Sequence, residues 1–143
     1  MLLDEEWMDS VLDETVQNYI LSKPELCGFG NDVEGIYRVF KEFCQHGYEP
    51  RQIPKKLKPF VYVDDSTAMT LVKNCSMIFL AKINCMRHIK AGITGFIWMD
   101  CDDKAVCSDC QKRNGVYYSY YDSETIWPGV REGCRCIASP VFD

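Results

Sequence analysis

Nine cysteines in 143 residues, unevenly spread, constrain this chain more than any other feature. Four of them form two close pairs in the last third. Cys107 and Cys110 are spaced Cys-x2-Cys; after 23 intervening residues come Cys134 and Cys136, spaced Cys-x-Cys. A Cys-x2-Cys on a tight turn aims two thiolates at one ion, with Zn–S bonds of about 2.3 Å. On an extended strand, residues i and i+2 share a face, so the second pair can complete a tetrahedron. A closed four-sulfur shell leaves no position for water, so zinc there would stabilise the fold without doing chemistry. Two alternatives stay open: four reduced core thiols, or two disulfides in an oxidising compartment. Cys101 is a reserve ligand. The N-terminus, MLLDEEWMDS, is acidic where a signal peptide is basic, which favours metal over a disulfide framework and a cytoplasmic location over export. No run of about 18 apolar residues exists to span a membrane.

The rest of the chain reads as helices first and strands last. Residues 4–22 are expected to form a helix capped by Asp4, with Trp7, Val11, Leu12, Val16, Tyr19 and Ile20 returning at helical spacing. Lys23-Pro24 ends it, and the glycine-punctuated 27–31 is a connector. A second helix is expected from Asp32 to His46, closed by Gly47, with Val33, Ile36, Tyr37, Phe40, Phe43 and Cys44 as its buried stripe. Residues 48–60 hold three prolines and four basic side chains and read as an exposed basic loop. A long helix from Asp65 or Ser66 to Ala91 follows, stopped by Gly92. Segments 92–99, 116–121 and 134–141 read as short strands. The expected fold is therefore α+β, N-terminal helices followed by a small antiparallel β region stapled by a four-cysteine zinc site. Its expected organisation is a helical part at 1–60 and a long helix plus zinc-binding β region at 61–143, together one compact domain.

Charge is segregated along the chain. Residues 1–34 carry nine acidic side chains and one basic, while residues 35–60 carry six basic and two acidic. The net charge of −5 excludes a protein that coats polyanions over its whole surface. The acidic helix (Asp4, Glu5, Glu6, Asp9, Asp13, Glu14) is either a solvated face or a surface for a basic partner, including one that normally holds nucleic acid. Arg51, Lys55, Lys56 and Lys58 offer a secondary site for direct nucleic-acid contact.

Residues 75–141 resemble the C-terminal segment of the phage Mu F-like head morphogenesis family, the minor capsid or minor head proteins. The resemblance runs in order through a helix, Lys90-Ala91-Gly92-Ile93 leading to Trp98, Asp102-Asp103, and Val106-Cys107-Ser108-Asp109-Cys110. It continues through Asn114-Gly115 with an aromatic stretch, Trp127-Pro128-Gly129, and a closing Cys134-Arg135-Cys136 followed by Ala138, Pro140 and Val141. The family's arginine-threonine-glutamate run is replaced here by Lys82-Ile83-Asn84, so no acidic role is carried over. About half of the chain is covered. The resemblance implies phage origin and a module that contacts head or portal proteins, cytoplasmic in the host or virion-associated.

Catalysis has little to build on. There is no glycine-rich phosphate loop and no nucleophile elbow. Arg87 and His88 with Arg131 or Arg135 could form a small nuclease set, but no glutamate is placed to act as its base. The expected function is non-enzymatic binding to a protein or nucleoprotein complex in head or portal assembly. The alternatives are a free-standing inhibitor of a host defence complex, such as an anti-CRISPR protein acting through its acidic surface, and a small nuclease.

Overall fold

The computed structural model describes residues 6–47, 49–100 and 108–142. It is mostly helical, with a small three-stranded antiparallel sheet near the end of the chain. Two compact units are present, Met1–Phe79 and Leu80–Asp143.

The first unit is built on helices. Helix α1 (Glu6–Leu21) buries Met8, Leu12, Thr15, Val16, Tyr19 and Ile20, a stripe at the i, i+3/i+4 spacing that its sequence carries. Trp7 and Val11 are only half-buried at its edge. A single turn, α2 (Pro24–Cys27), follows with proline at its first position, where a missing N–H costs nothing. Helix α3 (Val33–His46) starts at Asp32, whose carboxylate accepts from the Gly35 N–H at 3.1 Å. It ends at Gly47, whose N–H reaches Phe43 O at 2.8 Å.

Gly35 is buried in the first turn of α3 because the Phe60 ring lies against it. A Cβ on Gly35 would stand 2.2 Å from Phe60 Cδ1. Alanine gains about 1 kcal/mol over glycine in an exposed helix interior. Here the displaced ring outweighs that gain. Gly35→Ala is expected to destabilise the protein by about 1–3 kcal/mol; a raised melting temperature would refute the packing argument.

The expected basic loop is instead partly helical. Helix α4 (Gln52–Leu57) buries Ile53 and Leu57, one turn apart. Proline density argues against a helix, but Pro54 sits in the first turn, where backbone N–H groups have no intrahelical partner to lose. Burial of the two aliphatic side chains then decides the conformation.

Lys41 of α3 joins α3 to α1. Its ammonium lies 2.8 Å from Asp13 and 3.5 Å from Asp9, and the Tyr37 hydroxyl donates to Asp13. The Lys41 hydrogen bond, then the Tyr37 one, hold the Asp13 carboxyl below its usual range. A depressed carboxyl stabilises the fold above the unfolded-state value and loses that contribution as pH falls through the folded one. Asp13→Asn should therefore cost about 0.2–1 kcal/mol at neutral pH, the partial exposure of the pair keeping it small. In urea titrations the gap between variant and wild type should close between about pH 5 and pH 2; a constant gap would remove the ion pair from the account.

Helix α5 (Asp65–Lys90) begins in the first unit and ends in the second. Asp64 caps it, accepting from the Thr67 N–H at 2.7 Å. At its other end Gly92 N–H bonds Ile89 O and Ile93 N–H bonds His88 O, the paired bonds of a Schellman ending. That ending consumes residues expected to be strand, so β1 is Gly95–Met99 only. The sheet order is β2-β1-β3, with β2 at Tyr117–Ser119 and β3 at Ile137–Pro140. Phe96 and Trp98 point inward and are fully buried, while Ile97 and Met99 point outward. The register pairs Ile97 with Tyr117 and Met99 with Ile137 on the outer face.

Candidate metal centre

Beneath the sheet of the second unit lies a core of Cys85, Phe96, Trp98, Cys110, Cys136 and Ala138, with Tyr118, Tyr120, Trp127 and Cys134 packed against it. Three of its sulfurs converge. Cys110 stands on a short helix, α6 (Ser108–Arg113), in place of the expected tight turn. Cys134 and Cys136 come from the segment entering β3, after a turn closed by the Cys134 N–H on Arg131 O at 3.0 Å, and both sulfurs reach the cluster. The three thiols lie within 4.8 Å of one another, with Cys110 and Cys134 Sγ 3.8 Å apart. Cys107 and the reserve ligand Cys101 fall outside the described residues.

N–H donors surround these sulfurs. Gly129 N–H donates to Cys134 Sγ at 3.3 Å, and Arg131 Nη2 donates to Cys110 Sγ at 3.5 Å. Gly129 has φ +83°, which favours glycine, and a Cβ there would stand 2.8 Å from the Ala81 Cβ. Arg131 is in turn held by Asp109 at 3.6 Å. The Trp98 indole N–H is buried without a full hydrogen-bond partner, and it favours the thiolate of Cys136.

The thiols do not ionise alike. Burial opposes charge on Cys134, but the backbone N–H groups of Cys136 and Gly129 outweigh it and draw its thiol below the ordinary value. Cys136 moves the other way, pushed up by burial and by the charge on Cys134. Three thiolates this close repel one another unless a cation lies among them. Soft sulfur ligands ringed by N–H donors suit a thiophilic ion and not a hard, oxygen-seeking one. The residues present therefore fit a metal ion, and Cys110, Cys134 and Cys136 are the ones that could hold it.

Sequence reasoning does not identify the donors Gly129 and Trp98, and it groups Arg131 with a nuclease. The Trp127-Pro128-Gly129 turn is the available signal, since a glycine after proline often takes a positive φ. Two members of the suggested nuclease set have named partners in the fold, Arg131 as above and His88. His88 Nδ1 lies 2.8 Å from the Tyr120 hydroxyl, and burial lowers the pKa of its ring. Tyr120 also bonds the buried Cys85, whose thiol burial pushes up to about 11. Such a thiol is inert as a nucleophile.

The acidic partner set is divided. Asp4 and Glu5 lie outside the described residues. Glu6 and Glu14 are exposed, whereas Asp9 and Asp13 face Lys41. Among the described residues no helix is long and apolar enough to cross a membrane. No protein-family model, curated protein or solved structure matches this chain.

Proposed function

We propose that the second unit is a structural zinc module of the phage Mu F-like minor-head type. In this reading the protein works without catalysis, by contacting a head or portal complex. The convergence of Cys110, Cys134 and Cys136 carries the reading, because it supplies three soft ligands from two distant stretches of chain. Cys107, three residues before Cys110, is the natural fourth ligand. Bound zinc would supply charge compensation and cross-linking of α6 to the segment entering β3, and no reaction step. Packing of Cys110 and Cys136 in the same core as Phe96 and Trp98 suits a fold-stabilising role for the ion. The ordered motifs of residues 75–141 support the family assignment, and the engaged state of His88 and Arg131 supports a binding role over hydrolysis.

Two measurements test the two halves of this reading. Elemental analysis of protein purified under reducing conditions should find one zinc per chain. Tagged protein from phage-infected cells should sediment with proheads or isolated portal. Recovery only at the top of the gradient, with zinc present, would sink the head-assembly role and keep the metal site.

A further inference from the structure

Helix α4 sorts its charges, and that has a consequence for the first unit. Arg51 and Lys58 flank the helix with helical backbone angles, so residues 51–58 share one helical path. At 3.6 residues per turn, Arg51, Lys55 and Lys58 fall within an arc of about 60°, a ridge about 10 Å long. Ile53 and Leu57 occupy the opposite, buried side. Arg51, Lys55 and Lys58 are exposed. Arg51 makes an exposed surface pairing with Glu49 at 3.4 Å, which exchanges readily for another anion.

Lys58 also lines a groove of about 340 Å³. Its other walls include Asn31, Pro59, Tyr62, Val63 and Asp65. One aromatic side chain in the lining, Tyr62, is fully exposed. The Tyr62 ring stands open to solvent in the groove that Lys58 also lines, so its face is available for stacking.

We infer that this groove binds single-stranded nucleic acid, with backbone phosphates along Arg51, Lys55 and Lys58 and a base stacked on Tyr62. Every base has a π-face, so the stacking reads no sequence. Asp65 also lines the groove, and its carboxylate repels phosphate, which leaves the phosphates to the basic ridge. The site lies wholly in the first unit. It goes beyond the zinc reading and is independent of the cysteines.

Fluorescence anisotropy with labelled oligo(dT) of about twenty nucleotides tests this on the full chain. Binding should be measurable near 50 mM salt and should weaken roughly 20-fold by 200 mM, as expected for about three phosphate contacts on a single strand. Tyr62→Ala should weaken it at least about five-fold, the loss of one stacked base. The double variant Lys55→Glu, Lys58→Glu should weaken it by about ten-fold or more at low salt. Lys73→Glu, an exposed charge reversal on α5 and off the ridge, should leave affinity within about two-fold. All four positions are exposed, and circular dichroism confirms that each variant is folded. No binding by the wild type overturns the proposal, as does binding indifferent to Tyr62 and the lysines. Equal affinity for a duplex removes the stacking role. Equal displacement by a poly-glutamate peptide assigns the groove to acidic protein segments instead.

Discussion

On the zinc proposal, stripping the metal with a chelator, or replacing Cys134 by Ser, is expected to unfold the second unit while the helices of the first remain. Structural zinc sites contribute apparent free energies on the order of 10 kcal/mol, more than a region of this size gains from its core. Among the described residues the unit has the end of α5, three short strands and one short helix, and its core sets the three clustered cysteines against Phe96, Trp98 and Ala138. Without an ion, the Cys134 and Cys136 thiols compete for a single charge, and burial works against both. Metal retention should also fall as pH drops, because each ligand must lose a proton to bind. The readouts are zinc content and two-dimensional amide NMR, in which the signals of residues 95–140 should collapse together. Cys27→Ser, a half-buried cysteine of the first unit, should keep one zinc per chain. A dispersed spectrum from metal-free Cys134→Ser protein would show that packing alone holds the unit, and the zinc proposal would fail.

Trp98→Ala is expected to cost about 3–5 kcal/mol. Trp98 is the largest fully buried side chain, and its ring meets Tyr118 edge-on with centroids 6.0 Å apart. The Arg113 guanidinium lies 5.4 Å from its ring centroid, so the same side chain ties α6 to β1. The loss would also remove the indole N–H that favours the Cys136 thiolate. One residue earlier on the strand, Ile97 faces outward, and Ile97→Thr should stay within about 1 kcal/mol of wild type. Urea unfolding of the two variants gives the comparison directly. Similar costs at the two positions would mean that the inward and outward faces of the sheet are assigned the wrong way round.

Much of the helical architecture is readable in one dimension because its signals are local. The stripe Leu12, Val16, Tyr19 and Ile20 lies on one face of any helix, and Asp32 and Gly47 mark helix ends by chemistry that needs no distant partner. Helix α4 escapes a local reading for the opposite reason. Its prolines are visible locally, whereas the burial of Ile53 and Leu57 depends on the rest of the first unit. The strands are located by sequence but come out too long. Gly92 and Ile93 are claimed by the end of α5, and Tyr120 and Tyr121 enter a turn after β2.

The candidate metal centre divides in the same way. Paired cysteines at short spacing are a local pattern, so residue types and spacing are enough to nominate Cys107, Cys110, Cys134 and Cys136 as partners, the last three of which lie among the described residues. That their sulfurs meet within 4.8 Å, with the Gly129 amide and the Arg131 guanidinium turned toward them, follows from long-range packing. Periodicity, caps and spacing act over a few residues, and each is written into neighbouring side chains. Which buried charge finds which donor, and which lysines line up beside which exposed ring, is settled only when segments far apart in the chain exclude water together.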